Sequence, residues 1–203
     1  MLLAFDTSSA ACTAALFDET GECVANRDEL IGRGHAERLV PMIEELLDGR
    51  TAPEILVGVG PGSFTGIRVA IAAAHGLAIG WAGKLCGMSS IALVAAGVEE
   101  AGEVAAAVIG GHGELFVQQF AGSTLHPIDD VRSLTPQDAA SVVAASLVVG
   151  SGARQLVDAR GWGEARDAYP SAANAWKLPE PLRSLSPRPV YARAPDARAR
   201  EAA

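Results

Sequence analysis

Two segments carry side chains whose types and spacing could do chemistry. Asp6-Thr7-Ser8-Ser9 sets an acid and three hydroxyls directly after the apolar run Leu2–Phe5. An acid at a strand end, facing a turn of hydroxyls, suits a metal–phosphate contact. It also makes an Asx-type turn that satisfies its own backbone, and this is the preferred reading of the two. Gly60-Pro61-Gly62-Ser63-Phe64-Thr65-Gly66-Ile67-Arg68 joins a buried strand to a helix. Its glycines permit close backbone approach, helix amides point out of the turn, and Arg68 stands in the first turn, a geometry suited to an anion. No Lys-Ser/Thr follows the glycines, so this is not a Walker A loop. A tight turn packing the helix onto a sheet explains the same residues equally well. The candidate ligand-facing set is Asp6, Thr7, Ser8, Gly60, Gly62, Ser63, Thr65, Gly66 and Arg68.

Other chemistries fail on spacing. His35, His75, His112 and His126 form no H-x-x-x-H or H-E-x-x-H pair, and Cys12, Cys23 and Cys86 form no C-x-x-C. Neither a metal site nor a redox pair is expected. No Ser-His-Asp arrangement is identifiable, and His112 with Glu114 falls at a hairpin tip. A phosphotransferase would need further acids at later strand ends, which read Val59-Gly60, Ile109-Gly110 and Val149-Gly150. The expectation is a chain with no catalytic residue, no metal and no cofactor. A formal net charge of −8 and a pI near 5.0 lack the basic footprint of a nucleic-acid binder, so nucleic acid is expected to be reached only through a partner. Unpaired cysteines point to a reducing cytosol, and Met1–Phe5 runs into Asp6 without the basic start of a signal peptide. A cytoplasmic protein is expected. The apolar stretch Ile67–Trp81 holds Arg68, His75 and several Gly and Ala, and reads as a buried helix, not a membrane span.

An ordered set of elements must position these segments. Apolar residues make up 49% of the 203, enough for a packed core in one or two lobes. Strands are predicted at Leu2–Phe5, Thr13–Phe17 and Glu22–Asp28, then a helix over His35–Asp48 in which Pro41 predicts a kink or a later start. A buried strand over Ile55–Val59 follows, then a helix from after Gly66 to Trp81, a strand at Lys84–Met88, and a helix capped by Ser89 or Ser90 and ending at Ala96. The pattern restarts with strands at Val104–Ile109 and Leu115–Phe120, a third near His126–Val131, a helix opened by Thr135-Pro136-Gln137-Asp138 and running to Ala145, and a strand at Leu147–Val149. Beyond Gly161 irregular structure is expected, with Arg198–Ala203 frayed. Strand-strand-strand-helix-strand occurs twice, predicting an α/β protein with an N-terminal lobe over 1–100 and a C-terminal lobe over 101–203, each a mixed sheet flanked by helices. Two such halves facing each other give, by analogy, the duplicated ribonuclease-H-like architecture of actins and sugar kinases.

In the helix after Gly66, Ala72, Gly76 and Gly80 recur at every fourth position, with Val69 and Ala73 beside them. Ile67, Ile71, Leu77 and Trp81 would fill the core side. Small side chains let another backbone approach closely. The first helix adds Leu39, Met42, Ile43 and Leu46. These nine residues are the expected docking face for another subunit. Packing of the two helices on their own sheet is the alternative.

Asp6-Thr7-Ser8 after the first strand, His35 leading into Leu39-Val40-Pro41-Met42-Ile43, the Gly60–Arg68 string and Pro189-Val190-Tyr191-Ala192-Arg193 together resemble the TsaB (YeaZ) family. The match is strongest through about residue 100. The resemblance implies a place in making N6-threonylcarbamoyladenosine in tRNA, as the non-catalytic partner of the catalytic paralogue TsaD. It also implies that the ATPase TsaE joins them and that tRNA is reached only through the complex; the expected docking face could itself pair with a second copy, as a homodimer, when the partner is absent. Where TsaD carries a metal-binding H-x-x-x-H, Ser90 and Val94 stand here, implying a lost metal site. Gly110–Phe116 departs from the family's Asp-Ala-Arg-like segment. The alternatives are an actin-like ATPase or small-molecule kinase using Asp6 and the Gly60–Arg68 loop and, last, a peptidase.

Overall fold

The computed structural model describes residues 1–99 and 102–192. Strands β1 (Leu2–Asp6), β2 (Ala11–Phe17) and β3 (Cys23–Leu30) form an antiparallel meander. Helix α1 (His35–Leu47) leads to β4 (Glu54–Gly58), parallel to β1, and α2 (Phe64–Gly80) leads to β5 (Lys84–Met88), parallel to β4. The sheet order is β3-β2-β1-β4-β5. Helix α3 (Ser90–Ala95) crosses to the second unit, where β6 (Glu103–Ile109) and β7 (Leu115–Ala121) form a hairpin flanked by the short β8 (His126–Pro127) and β9 (Arg132–Leu134). Helix α4 (Pro136–Val142), β10 (Leu147–Val149), α5 (Ala153–Arg160) and β11 (Glu164–Arg166) complete it, with β10 parallel to β6 and β11 parallel to β10. The order β11-β10-β6-β7-β8, read backwards, repeats the first sheet strand for strand. The duplicated actin-like α/β fold expected from the element order is present.

Strand β1 is buried throughout because both faces are covered. Leu3 and Phe5 meet Met42, Ile43, Ile67 and Ile71 under α1 and α2. Leu2 and Ala4, pointing the other way in the period-two pleat, join Leu93 of α3 and Val104, Val108 and Phe120 of the second sheet. All six residues of α3 are buried, so this helix holds the two lobes on one core.

Several ends move from their expected places, each for a local reason. Helix α1 does begin at His35 and runs through Pro41, which lies on its exposed side. Helix α2 starts at Phe64, ahead of Gly66, because the Ser63 hydroxyl caps it by accepting the Gly66 N–H at 3.2 Å. The strand expected near His126–Val131 is cut back to β8, and β9 begins beyond it. Between them the Asp129 carboxylate accepts the Gln119 N–H at 2.8 Å and breaks the ladder. Helix α4 stops at Val142, short of Ala145, where Gln119 Oε1 accepts the amides of Ala144 and Ala145 at 2.7 and 3.0 Å. Helix α5 and strand β11 were not foreseen.

From Ser171 the chain returns to the first sheet. Ser171 Oγ donates to Asp28 at 2.8 Å, and Ala172 N donates to Thr13 Oγ1 at 2.7 Å. Trp176 tilts against Phe17 and fills the space over Gly21, where a Cβ would lie 2.2 Å from its ring nitrogen. After the short α6 (Glu180–Arg183), Leu185 exchanges two backbone bonds with Gly87, and Val190 N donates to Val59 O at 2.8 Å. This strap belts the first lobe and ends beside α2. Arg193, the frayed end expected at Arg198–Ala203 and the lobe boundary at 100/101 lie outside the described residues.

Candidate functional site

The first candidate segment closes on itself. Asp6 ends β1 and is fully buried. Its Oδ1 accepts the Ser8 N–H and the Ser8 hydroxyl, both at 2.7 Å, while its Oδ2 accepts the Ser90 hydroxyl. Ser90 Oγ in turn accepts the Gly60 N–H at 2.9 Å. Gly58 leaves the room for this carboxyl, since a Cβ there would lie 1.7 Å from Asp6 Oδ2. Burial pushes the Asp6 carboxyl above its ordinary value; the bonds from Ser90 and Ser8 and the charge of His35 pull the other way. The Ser8 bonds close the turn after β1, and the Ser90 bond ties that turn to the start of α3. The Ser8 N–H bond to Asp6 is the Asx turn that was the preferred reading.

The glycine string is also mostly a packing device. Thr7 Oγ1 donates to Gly66 O at 2.7 Å, and Ser63 N donates to Ser8 O at 2.6 Å. A Cβ on Gly62 would lie 2.2 Å from Ser8 O, and one on Gly66 1.9 Å from Thr7 O. Gly60 has a φ of 102° and is joined to Pro61 by a cis peptide bond. The glycines thus let the Asp6–Ser9 turn and the start of α2 touch backbone to backbone. Only Ser63, Phe64, Thr65 and Arg68 of the string look outward.

Those outward residues border a cleft of about 1290 Å³ between the lobes, lined on one side by Gly32–Glu37, Gly62–Gly66, Arg68 and Val69 and on the other by Val108–His112, Phe116 and Ser151. Tyr169 adds to the lining, as do Val190 and Tyr191 of the strap. Among the described residues no group of three or more His, Cys, Asp and Glu side chains could hold a metal ion. Ser90 and Val94, which stand where the resemblance places metal ligands, are both 1% exposed. At the hairpin tip Glu114 accepts the Ser133 hydroxyl at 2.7 Å.

The expected docking face divides. Leu39, Met42, Ile43 and Leu46 are buried under the chain's own sheet, so they belong to the core and not to a free surface. The 3.6-residue period shows that a helix has an apolar stripe but not what the stripe faces. On α2 the outcome reverses. Ala72, Gly76 and Gly80 are exposed, Val69 and Ala73 half-buried, and a Cβ on Gly76 or Gly80 would meet nothing within 4 Å. Beside them Ile79 is 83% exposed and Phe64 62%, two residues the sequence reading missed. Over Phe64–Trp81 only 28% of residues are buried, and by length and composition this stretch would suffice to cross a bilayer. The expectation of a buried helix is therefore corrected. Only Gly66, Ile67, Ala70, Ile71 and Ala74 are buried, against the sheet.

A family model described as "TsaD: tRNA N6-adenosine threonylcarbamoyltransferase" matches residues 22–147, more than half of the chain. The TsaB protein of Escherichia coli K12, named for tRNA threonylcarbamoyladenosine biosynthesis, is 35% identical over 127 residues, covering 59% of this chain and 54% of that protein. The chain thus spans about half the length of this curated relative. Two crystal structures from Pseudomonas aeruginosa superpose over nearly everything. One, titled as YeaZ, is 30% identical with a TM-score of 0.77, covering 94% of this chain and 98% of its own. The other, titled as similar to the peptidase YeaZ, is 32% identical with a TM-score of 0.78, covering 95% and 99%. With the family model, the curated sequence and the shared fold in agreement, the chain belongs to the TsaB (YeaZ) family, a relative of TsaD.

Proposed function

We propose that the chain is a partner subunit in tRNA N6-threonylcarbamoyladenosine biosynthesis and that it docks on a TsaD-type protein through the outer face of α2. The observation that carries this reading is the helix itself: apolar over its length, yet largely uncovered, with open space over Gly76 and Gly80. A lobe in water gains nothing by exposing Ile79 and a stripe of small residues together, whereas a second helix laid along Ala72, Gly76 and Gly80 would bury them all. Each Å² of apolar surface removed contributes roughly 25 cal/mol before the costs of association.

The role proposed is not catalytic. Asp6 is committed to Ser8 and Ser90, and the Ser63 and Gly66 bonds of the glycine string hold its own turn. The catalytic work falls to the TsaD-type partner, with a TsaE-type ATPase joining and tRNA contacted through the assembly, in the cytoplasm. The same face of α2 would pair with a second copy when the partner is absent, since one patch serves both sides of a two-fold contact. The peptidase wording attached to one similar structure finds no metal cluster here among the described residues.

The test is Gly76→Arg, a bulky charge at a position with room for it. Circular dichroism of the variant should match the parent, and its thermal stability should be no lower. Co-purification with a TsaD-type partner should be lost, and tRNA modification in the reconstituted system with it. Intact co-purification by a folded variant would remove α2 as the docking face.

A further inference from the structure

We propose that the cleft between the lobes binds a small organic anion carrying a flat ring, an aryl phosphate or aryl carboxylate, with Arg68 as the anion receptor and Phe64 and Tyr191 as the platform for the ring. The Arg68 guanidinium lies 3.2 Å over the Phe64 ring and 5.4 Å from that of Tyr191, and the two rings stack at 5.7 Å and 24°. Stacking fixes the plane of the guanidinium and leaves its edge, with five N–H donors, pointing away from the rings. Its one hydrogen bond among the described residues, from Nη1 to Phe64 O, is 3.5 Å long, beyond ordinary N–H···O lengths. No carboxylate among the described residues pairs with it. Other arginines are engaged: Arg38 holds Glu29 and Glu45, Arg132 holds Asp129, and Arg166 holds Glu164. Arg68 is thus an ordered cation with unused donors, the arrangement in which a planar fork captures a phosphate or carboxylate at little further entropy cost.

The surroundings agree. In a chain of net charge −8, the cleft lining gathers Arg33, His35, Arg68 and His112 against Glu37 alone. His35 Nε2 is buried in this lining without a hydrogen-bond partner among the described residues, a state that costs free energy unless a ligand or water meets it. The facing wall offers Val108, Ile109 and Phe116, apolar surface suited to a ring and not to a bare inorganic ion.

The inference stands apart from the docking role and is tested on the isolated chain. Calorimetric titration would compare phenyl phosphate, benzoate, inorganic phosphate and phenol. Phenyl phosphate, benzoate or both should bind at least about tenfold more tightly than inorganic phosphate and phenol, the worth of one charge-assisted contact; which of the two binds better separates phosphate from carboxylate as the preferred anion. Arg68→Met, which keeps the stem, should lose that gain. Arg68→Lys, which keeps the charge but not the fork, should recover only part of it, while Arg27→Met on the far edge strand should change nothing. Equal weak binding of all four probes, or an Arg68→Met protein that unfolds like the parent and still prefers the ring-bearing anions, would overturn the proposal.

Discussion

Helices α1 and α2 sit side by side on one face of the first sheet, and they use their apolar residues in opposite ways. In α1 the apolar positions fall on one stripe, Leu39, Met42, Ile43, Leu46 and Leu47, and the sheet consumes all of them. In α2 apolar residues face every direction, and the sheet covers only Gly66, Ile67, Ala70, Ile71 and Ala74. An amphipathic helix is fully accounted for by its own fold. A helix apolar all round is accounted for only when something covers its second side, so the surplus on α2 is a signal of function where the stripe on α1 is not.

That contrast can be broken most forcefully on α1. Leu39→Ala should lower the unfolding free energy by about 2–5 kcal/mol, as loss of a fully buried leucine does, measured by urea denaturation. Binding of a TsaD-type partner per folded molecule should be unchanged. A binding defect larger than the loss of folded protein would return this stripe to the interface. On α2 two glycines separate the buried side from the open one. Gly66→Ala should destabilise by about 1–3 kcal/mol, because the new Cβ would lie 1.9 Å from the Thr7 carbonyl oxygen. Gly76→Ala should act in the other direction and stabilise the isolated chain by about 0.5–1 kcal/mol, the helix preference for Ala over Gly, since a Cβ there meets nothing. The same methyl should weaken partner binding. Equal effects of the two alanines on stability would mean that α2 has no open side.

Much of this was legible in the sequence, and the failures have a pattern. Element order, the duplication and the Asx turn at Asp6 follow from local chemistry: short apolar runs, turn residues and an acid two residues before a hydroxyl. The orientation of the first helix was not legible, because Leu39 and Met42 look the same whether a sheet or a subunit covers them. Ile79 and Phe64 were missed because in an apolar helix an exposed residue has no contrast against its neighbours. The strap was read as irregular because its bonds to Thr13, Asp28 and Gly87 are long-range, with no period to betray them. The cleft cluster escaped for the same reason: Tyr191 reaches Phe64 and Arg68 only in three dimensions.

The smallest effect concerns the turn that anchors α2 and leaves α1 alone. Asp6 holds Ser8, whose carbonyl accepts the Ser63 N–H at the start of α2. Burial raises the folded-state pKa of Asp6 above its ordinary 3.8, while bonds from Ser90 and Ser8 and the nearby His35 moderate the shift. A carboxyl that holds its proton more tightly when folded contributes stability that is full below the unfolded pKa and is lost as pH rises through the folded one. Unfolding free energies measured in steps from about pH 4 to about pH 7, a range that starts near an ordinary carboxyl pKa, should therefore carry a falling component in the parent that Asp6→Asn lacks. The variant will be less stable overall where it loses an acceptor for Ser8 or Ser90, but that offset does not depend on pH. Glu29 and Glu45, lowered by Arg38, give an opposite slope in both proteins and cancel in the difference. Parallel pH profiles for parent and variant would show that the buried acid carries no extra proton on folding. The Asp6 turn would then anchor α2 through geometry alone.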